Sequence, residues 1–304
     1  MAAYLAGAGV GQLTLVDGDA PEETNLHRQV FFRTGATKNK AVLLAEHCSL
    51  LNPGTRVSAH ENYLEADNAK AMIEAADLVV ECSDHAPTKH LVNDACHLLG
   101  VPLVYAAVHK YEGYLAVFPN ENKDDIHLRD VFPDPDPTLP DCATAGVLPT
   151  AVGIVAMLQA NAALCYLLGI GEPPLRQLLT YNALDNRQHR LRLRKSYAKT
   201  VAAPWMKTSF SRAELETDAT LADMPRYDGV FSMLDTDREP ELPAGVVRLT
   251  KRNPFGQCVE RMHPGGKYLI YCNSGKLSLM LAAQIRKHDP SIVALSLRTG
   301  RIKA

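Results

Sequence analysis

Short apolar runs alternate with stretches of helical period along most of this chain, and that alternation limits the fold more than any other feature. Ala2–Ala8 reads as the end of a helix, and Leu13–Val16 as a buried strand ending at Asp17. Lys38–Leu51 reads as a helix stopped by Asn52-Pro53-Gly54, with Val42, Leu43, Leu44, Cys48 and Leu51 at helical spacing. Arg56–Ala59, Leu78–Val80, Leu103–Ala107 and Gly113–Phe118 read as strands. Ala66–Ala75 and Pro87–Leu99 are the helices between them, and Val147–Leu168 is a long apolar helix. The alternation predicts an α/β fold, a Rossmann-like and mostly parallel sheet covered by helices. "LLTYNALDNRQHRLRLRKS" adds two strands joined at Asp185-Asn186, an antiparallel part. Asn120–Pro140 is a polar, proline-rich loop, longer than compact domains usually hold and so a candidate for function.

A second alternating unit follows. "GVFSMLD", "KYLIYC" and "SIVALSL" read as strands, with a helix at Ser278–His288. Between the units the composition shifts to Ser, Thr, Ala and charge. The expected division is 1–197, a linker at 198–215, and a small α/β domain at 216–304. A chain of 304 residues, 46% hydrophobic and 22% charged, has room for both. Its net charge of −2 argues against nucleic acid as the main partner. No apolar run is read as approaching the roughly 20 residues of a membrane helix. Seven scattered cysteines, an odd number, fit free thiols in a reducing cytoplasm.

Chemistry gathers in two places. In "LVDGDAPEETNLHRQ" and "TKNKA", Asp17 holds the strand end where an acid usually meets a ribose, with Asp19 beside it. Arg28 and Lys40 suit triphosphate oxygens, and Asn25 can bond a phosphate or cap a turn. Asp84 ends another strand at the same sheet edge, the usual place for a magnesium-holding carboxylate. Each residue also has a plain structural reading, as a turn acid or a solvated lysine. Their order along the fold favours a nucleoside-triphosphate site.

These residues carry a resemblance. "GVGQLTLVDGDAPEETNLHRQ", "KNKA", "LLNP", "VVECSDHAPTKHLVNDACHLLGVPLVYAAV", "GYLAVFP" and "CATAGVLPTAVGIVAMLQA" resemble the MoeB/ThiF/HesA family, relatives of ubiquitin-activating enzymes, over about Ala2 to Arg194. The resemblance implies ATP and Mg2+ as cofactors. It implies adenylation of the C-terminal glycine of a ubiquitin-like sulfur carrier protein, by a homodimer. It assigns Asp17, Asp19 and Asn25 to the nucleotide, Arg28 and Lys40 to its phosphates, and Asp84 to the magnesium. Family members carry two C-x-x-C zinc pairs. Here His127 and Asp130 take the first places and no cysteine follows "RLRLRKS", so no zinc is expected. His85 and Lys89 replace the family's Asn and Arg. The family also places a strand and Gly-rich loop before the position of Met1, and their absence predicts a gap in the sheet and weak ATP binding. Cys142 has two readings: a buried cysteine before a helix, or, by resemblance, a thiol that attacks the activated carrier. Asp141 beside it raises a thiol pKa. Cys82, Cys96, Cys48 and Cys165 are read as core, and Cys258 as incidental in a loop.

The second place is "YLIYCNSGKLS". An apolar strand runs into Cys272, followed by Asn273, Ser274, Gly275, Lys276 and Leu277 before a helix. Loop N–H groups and a helix start there can hold a thiolate or persulfide, although a core cysteine at a strand end is an equal reading. The loop resembles the Cys-x-x-Gly-x-x loop of rhodanese domains, in divergent form, over about Glu216 to the end. Together the resemblances imply a sulfur donor, a cysteine desulfurase or thiosulfate, and a thiocarboxylate product. Two alternatives stand beside this: a protein that binds a carrier without activating it, and a stand-alone sulfurtransferase.

Overall fold

Alternation along Leu103–His109 fixes the two faces of the larger sheet. Leu103 and Tyr105 turn to one side, Val104 and Ala106 to the other, and all four are buried. The computed structural model describes all residues except 135–145, 205–211, 235–240, 251–252, 273–274 and 299–304. They fall into two units, Met1–Met206 and Lys207–Ala304. The boundary lies within the segment read as a linker, which also holds the short helix α6 (Arg212–Leu215).

In the first unit, strands β1 (Gln12–Val16) and β2 (Arg56–His60) pair in parallel as a sheet of their own. Strands β3 (Val79–Glu81), β4 (Leu103–His109), β5 (Glu112–Phe118), β6 (Gln177–Asn182) and β7 (Arg187–Arg192) form a second sheet in that order. Only β3 and β4 are parallel there; the rest is an antiparallel meander. The parallel content is thus split between two sheets, a smaller share than the sequence predicts. Helices α3 (Ala69–Glu74) and α4 (Ala86–Leu99) cover one face of the larger sheet through Ile73, Val92 and Cys96. Helices α1 (Ala2–Gly7) and α5 (Pro149–Leu168) cover the other through Leu5, Val155 and Ala163. Helix α2 (Lys40–Leu51) packs with α1 and the small sheet, around Cys48.

Helix α5 corrects one expectation. It has 20 residues and a mean hydropathy of 1.8, long and apolar enough to cross a membrane. The helix itself was read, as Val147–Leu168, but Thr150, Gln159 and Asn161 break its apolar run and hide how apolar the whole length is. Ala151, Val155, Ala160, Ala162 and Ala163 are buried, and Gln159 donates to the carbonyls of Glu81 at 2.6 Å and Val104 at 3.2 Å.

The second unit is a five-stranded parallel sheet. Its order is β10 (Val246–Arg248), β9 (Gly229–Ser232), β11 (Lys267–Tyr271), β12 (Val293–Leu297), β8 (Glu216–Thr217). Tyr268, Leu269, Ile270 and Tyr271 are all fully buried, as a strand covered on both faces requires. The chain leaves β9 for one edge and returns through β11 toward the other. The switch in direction therefore lies between β9 and β11, and such crevices at the carboxyl ends of strands are where open α/β sheets bind ligands. Helix α7 (Pro254–Val259) and helix α8 (Lys276–His288) complete the unit. Cys258 sits on α7 and is fully buried in the core, not incidental in a loop as expected, because the helix turns it inward.

Candidate functional site

At the carboxyl end of β1 the chain turns through Asp17-Gly18-Asp19. Asp17 accepts the Asp19 N–H at 2.9 Å, a local turn bond. The side chain of Asn39 caps α2 by accepting the Ala41 N–H at 2.7 Å, and it donates to the Asp17 carbonyl at 2.7 Å. One asparagine thus ties the start of α2 to the end of β1. It delivers Lys40 to the site, where its N–H donates to the Asp19 carbonyl at 2.9 Å. Lys40 is buried, and its Nζ lies 3.4 Å from Asp19 Oδ2. The Tyr63 hydroxyl donates to the other Asp19 oxygen. Its ring lies on Gly18, where a Cβ would stand 2.5 Å from it, so the close approach requires glycine.

Burial holds the Asp17 carboxyl above the ordinary carboxylate range. The Asp19 N–H and Lys40 oppose that rise, while the charges of Asp19 and Asp84 add to it. Asp84 therefore stands within electrostatic reach of Asp17, although the strands they follow, β1 and β3, belong to different sheets and not to one edge as expected. The structure thus brings together Asp17, Asp19, Lys40 and Asp84. Arg28 and Asn25 form a separate local pair, Nη2 to Oδ1 at 2.7 Å, on the turn after Glu23–Asn25. Sequence reasoning missed Asn39 and Tyr63. The asparagine had a visible signal, an N-cap letter just before a helical period. The tyrosine had none.

Lys89, which replaces a family arginine, turns inward. It pairs with the buried Glu81 and donates to the Ala106 carbonyl at 2.9 Å. Burial works against its charge, but Glu81 and Tyr105 outweigh that and raise its pKa. Cys82, read as core, follows the end of β3 with part of the residue exposed, but its thiol turns inward to the Val80 and Gln159 oxygens, and burial pushes its pKa up to about 12. Cys48 and Cys96 are buried and Cys165 is half-buried. Cys142 lies outside the described residues.

Where the family's zinc pairs would meet, the chain ties itself with hydrogen bonds. The Asp130 carboxylate accepts N–H groups of His127 at 3.0 Å, Ser196 at 2.7 Å and Tyr197 at 2.8 Å. Burial pushes its pKa up, but these three bonds outweigh burial and lower it. Among the described residues no group of three His, Cys, Asp or Glu side chains is arranged to hold a metal. His127 stacks on His97, ring centroids 4.3 Å apart. Burial lowers the pKa of both imidazoles, and His97 further lowers that of His127. An unfolded chain binds protons at both histidines below about pH 6.5, while the folded one resists. Stability is therefore full above that pH and falls as the pH drops below it. The expected loss is about 1.4 kcal/mol for each unit by which an imidazole is depressed. Urea unfolding between pH 7 and 5 checks this: His127→Gln should flatten the slope, and an unchanged slope would refute the assignment.

In the second unit Cys272 lies at the end of the central strand β11, 2% exposed. Its Sγ accepts the Ser278 N–H at 3.4 Å and the Ser278 hydroxyl at 3.3 Å. Gly275, at φ +75°, caps α8; a Cβ there would stand 3.3 Å from the carbonyl oxygens of Leu297 and Arg298. Leu277 is exposed. Asn273, Ser274 and the side chain of Lys276 lie outside the described residues. So do Asp237 and Arg238, part of the expected Asp-x-Arg region, and most of the closing "LRTGRIKA" stretch. Ser278 was read only as a helix start; among the described residues it is the one whose N–H and hydroxyl bond the sulfur.

The model of the ThiF family matches residues 1–235. The chain belongs to the ThiF family. Among curated relatives, a sulfur carrier protein adenylyltransferase of Thermus thermophilus is 40% identical over 202 residues, 64% of this chain and 73% of that protein. The SAMP-activating enzyme E1 of Haloferax volcanii is 40% identical over 60% of this chain and 67% of its own. A probable adenylyltransferase/sulfurtransferase MoeZ of Mycobacterium tuberculosis is 36% identical over 63% of this chain, which spans only 50% of that relative. The solved structure of Escherichia coli MccB has a TM-score of 0.57 at 20% identity over 66% of this chain and 60% of its own, a likeness of fold.

Proposed function

We propose that this ThiF-family chain uses ATP to adenylate the C-terminal carboxylate of a ubiquitin-like sulfur carrier protein, and that its second unit then supplies sulfur. The observation that carries the reading is the buried Lys40 ammonium among Asp17, Asp19 and Asp84 at the carboxyl edge of β1 and β3. The adenylyltransferase and sulfurtransferase names of the relatives support it.

The carrier carboxylate attacks the α-phosphorus of ATP. One P–O bond forms, the bond to the β-phosphate oxygen breaks, and pyrophosphate leaves with the electron pair. Charge grows on the leaving group, so a fixed cation is worth more there than in water. Lys40 is that cation, and Asn39 fixes where it stands. Asp84 would be the carboxylate that holds a magnesium ion, since such ions are held by one or two carboxylates plus the substrate's phosphates. When bound, it neutralises charge on the triphosphate. Arg28, paired with Asn25 on its turn, is the second phosphate cation of this reading.

Cys272 carries the sulfur. Its thiolate attacks the outer sulfur of thiosulfate, sulfite leaves, and a persulfide remains. The persulfide displaces AMP from the carrier adenylate and gives an acyl disulfide. A thiol reductant cleaves the S–S bond, freeing the thiocarboxylate and taking the Cys272 sulfur into a mixed disulfide, which a second thiol resolves. The test is to incubate the chain with ATP, magnesium, thiosulfate, a dithiol and a candidate carrier, then weigh the carrier. The mass gain of one oxygen replaced by sulfur supports the reading. Absence of that gain with every carrier tried, while pyrophosphate exchange proceeds, removes the sulfur-transfer half.

A further inference from the structure

Beside the Cys272 sulfur, two buried hydroxyls compete for one carbonyl. Ser278 Oγ, Ser296 Oγ and the Gly275 carbonyl oxygen form a triangle with edges of 2.8, 3.0 and 3.2 Å. Both serines are fully buried, so water does not share their bonds. The Gly275 carbonyl already accepts the Leu279 N–H at 3.0 Å. A carbonyl oxygen has two lone pairs, so it has one left for two hydroxyl protons. The Ser278 proton has three acceptors in reach: Gly275 at 3.0 Å, Ser296 at 2.8 Å and the sulfur at 3.3 Å. The Ser296 proton has two, Gly275 and Ser278.

We propose that Ser296 is a positioning residue for Cys272: by occupying the remaining lone pair of Gly275, it turns the Ser278 hydroxyl proton onto the sulfur. The proposal rests on the reading of Cys272 as the sulfur-carrying thiolate. Without Ser296, the Ser278 hydroxyl has the shorter bond to Gly275 available, and among the described residues the sulfur keeps the backbone N–H of Ser278. A hydrogen bond to a charged group contributes enough to change the thiolate fraction about tenfold. A less acidic thiol is also a stronger nucleophile, which returns part of that loss. The net expectation is an alkylation rate about threefold lower at fixed pH.

The experiment follows iodoacetamide labelling of Cys272 by peptide mass spectrometry in the full chain. Ser296→Ala should slow labelling about threefold, and Ser278→Ala at least as much. Because Ser296 acts only through Ser278, adding Ser296→Ala to Ser278→Ala should change nothing more. Ser296→Cys, which keeps a weak donor in the same place, should give an intermediate rate. A wild-type labelling rate in Ser296→Ala at unchanged urea midpoint overturns the proposal, and so do additive effects in the double variant. A chain that slows as expected on Ser296→Ala but turns over no thiosulfate keeps the relay and loses the sulfur-transfer reading. Thiosulfate turnover with unchanged labelling does the reverse.

Discussion

Replacing Lys40 by methionine should lower ATP–pyrophosphate exchange by about 10^3-fold. Methionine keeps the length and the burial of the side chain and removes only the charge. The effect is large because of what surrounds it. Lys40 is buried and 3.4 Å from Asp19, and Asp17 and Asp84 are close enough to act on one another. Without the ammonium, the triphosphate would meet the same carboxylates with one fewer positive charge to offset their repulsion. Both the lost attraction and the exposed repulsion act on the charge that grows as pyrophosphate leaves. Asn39→Ala should lower exchange by less, because it displaces the cation and leaves it in place. The measurement is exchange of labelled pyrophosphate into ATP, with the urea midpoint of each variant alongside. Exchange within about threefold of wild type in a folded Lys40→Met chain would show that the phosphates are held elsewhere.

Much of the fold was legible because burial patterns write themselves into short sequences. Leu103–Ala107 and "KYLIYC" need apolar residues on both faces, and both were found within a residue or two of their ends. The hairpin at Asp185-Asn186 was legible from its turn letters, and Asn186 adopts φ +57° there. Strands β8 and β10 were missed: at two and three residues they carry too little pattern to read. Helix α7 was missed because proline and glycine at Pro254 and Gly256 hide it, although its Asn253 cap is plain in hindsight. A gap in the sheet was expected from the resemblance, and the β1–β2 pair does stand apart from β3 and its neighbours; that only β3 and β4 would remain parallel in the larger sheet was not legible, since pairing is decided between segments far apart in sequence.

The site follows the same rule. Asp17, Asp19, Lys40 and Asp84 stand at strand and helix ends, which a linear pattern locates. Tyr63 and Ser296 reach their partners from 44 and 18 residues away, and no local pattern connects them. Lys89 shows the limit from the other direction. The motif shows only that it replaces an arginine, and nothing local shows that a buried Glu81 on β3 draws it inward. Asp130 and His127 stand where metal ligands were considered, and their lone pairs are used on backbone N–H groups instead.

Replacing Cys272 by alanine should separate the two half-reactions. Pyrophosphate exchange should stay within about twofold of wild type, because none of the groups assigned to adenylation lies in the second unit. Thiocarboxylate formation should fall by about 10^3-fold or more, because a covalent carrier has no substitute when its nucleophile is gone. Alanine is the useful replacement: Cys272 is 2% exposed, and a serine there would place a third hydroxyl beside Ser278 and Ser296, contesting the same protons. The two readouts discriminate among the readings. Loss of both activities would mean that the second unit supports adenylation as well, which the geometry of Lys40 and Asp84 gives no reason to expect. Retention of both would move the sulfur chemistry to another thiol, and Cys142 would be the next to replace. Loss of thiocarboxylate alone would leave an adenylating unit joined to a sulfur-carrying one. The intermediate that passes between them would then be the carrier adenylate, and it should accumulate on the alanine variant when the carrier is weighed under ATP and magnesium.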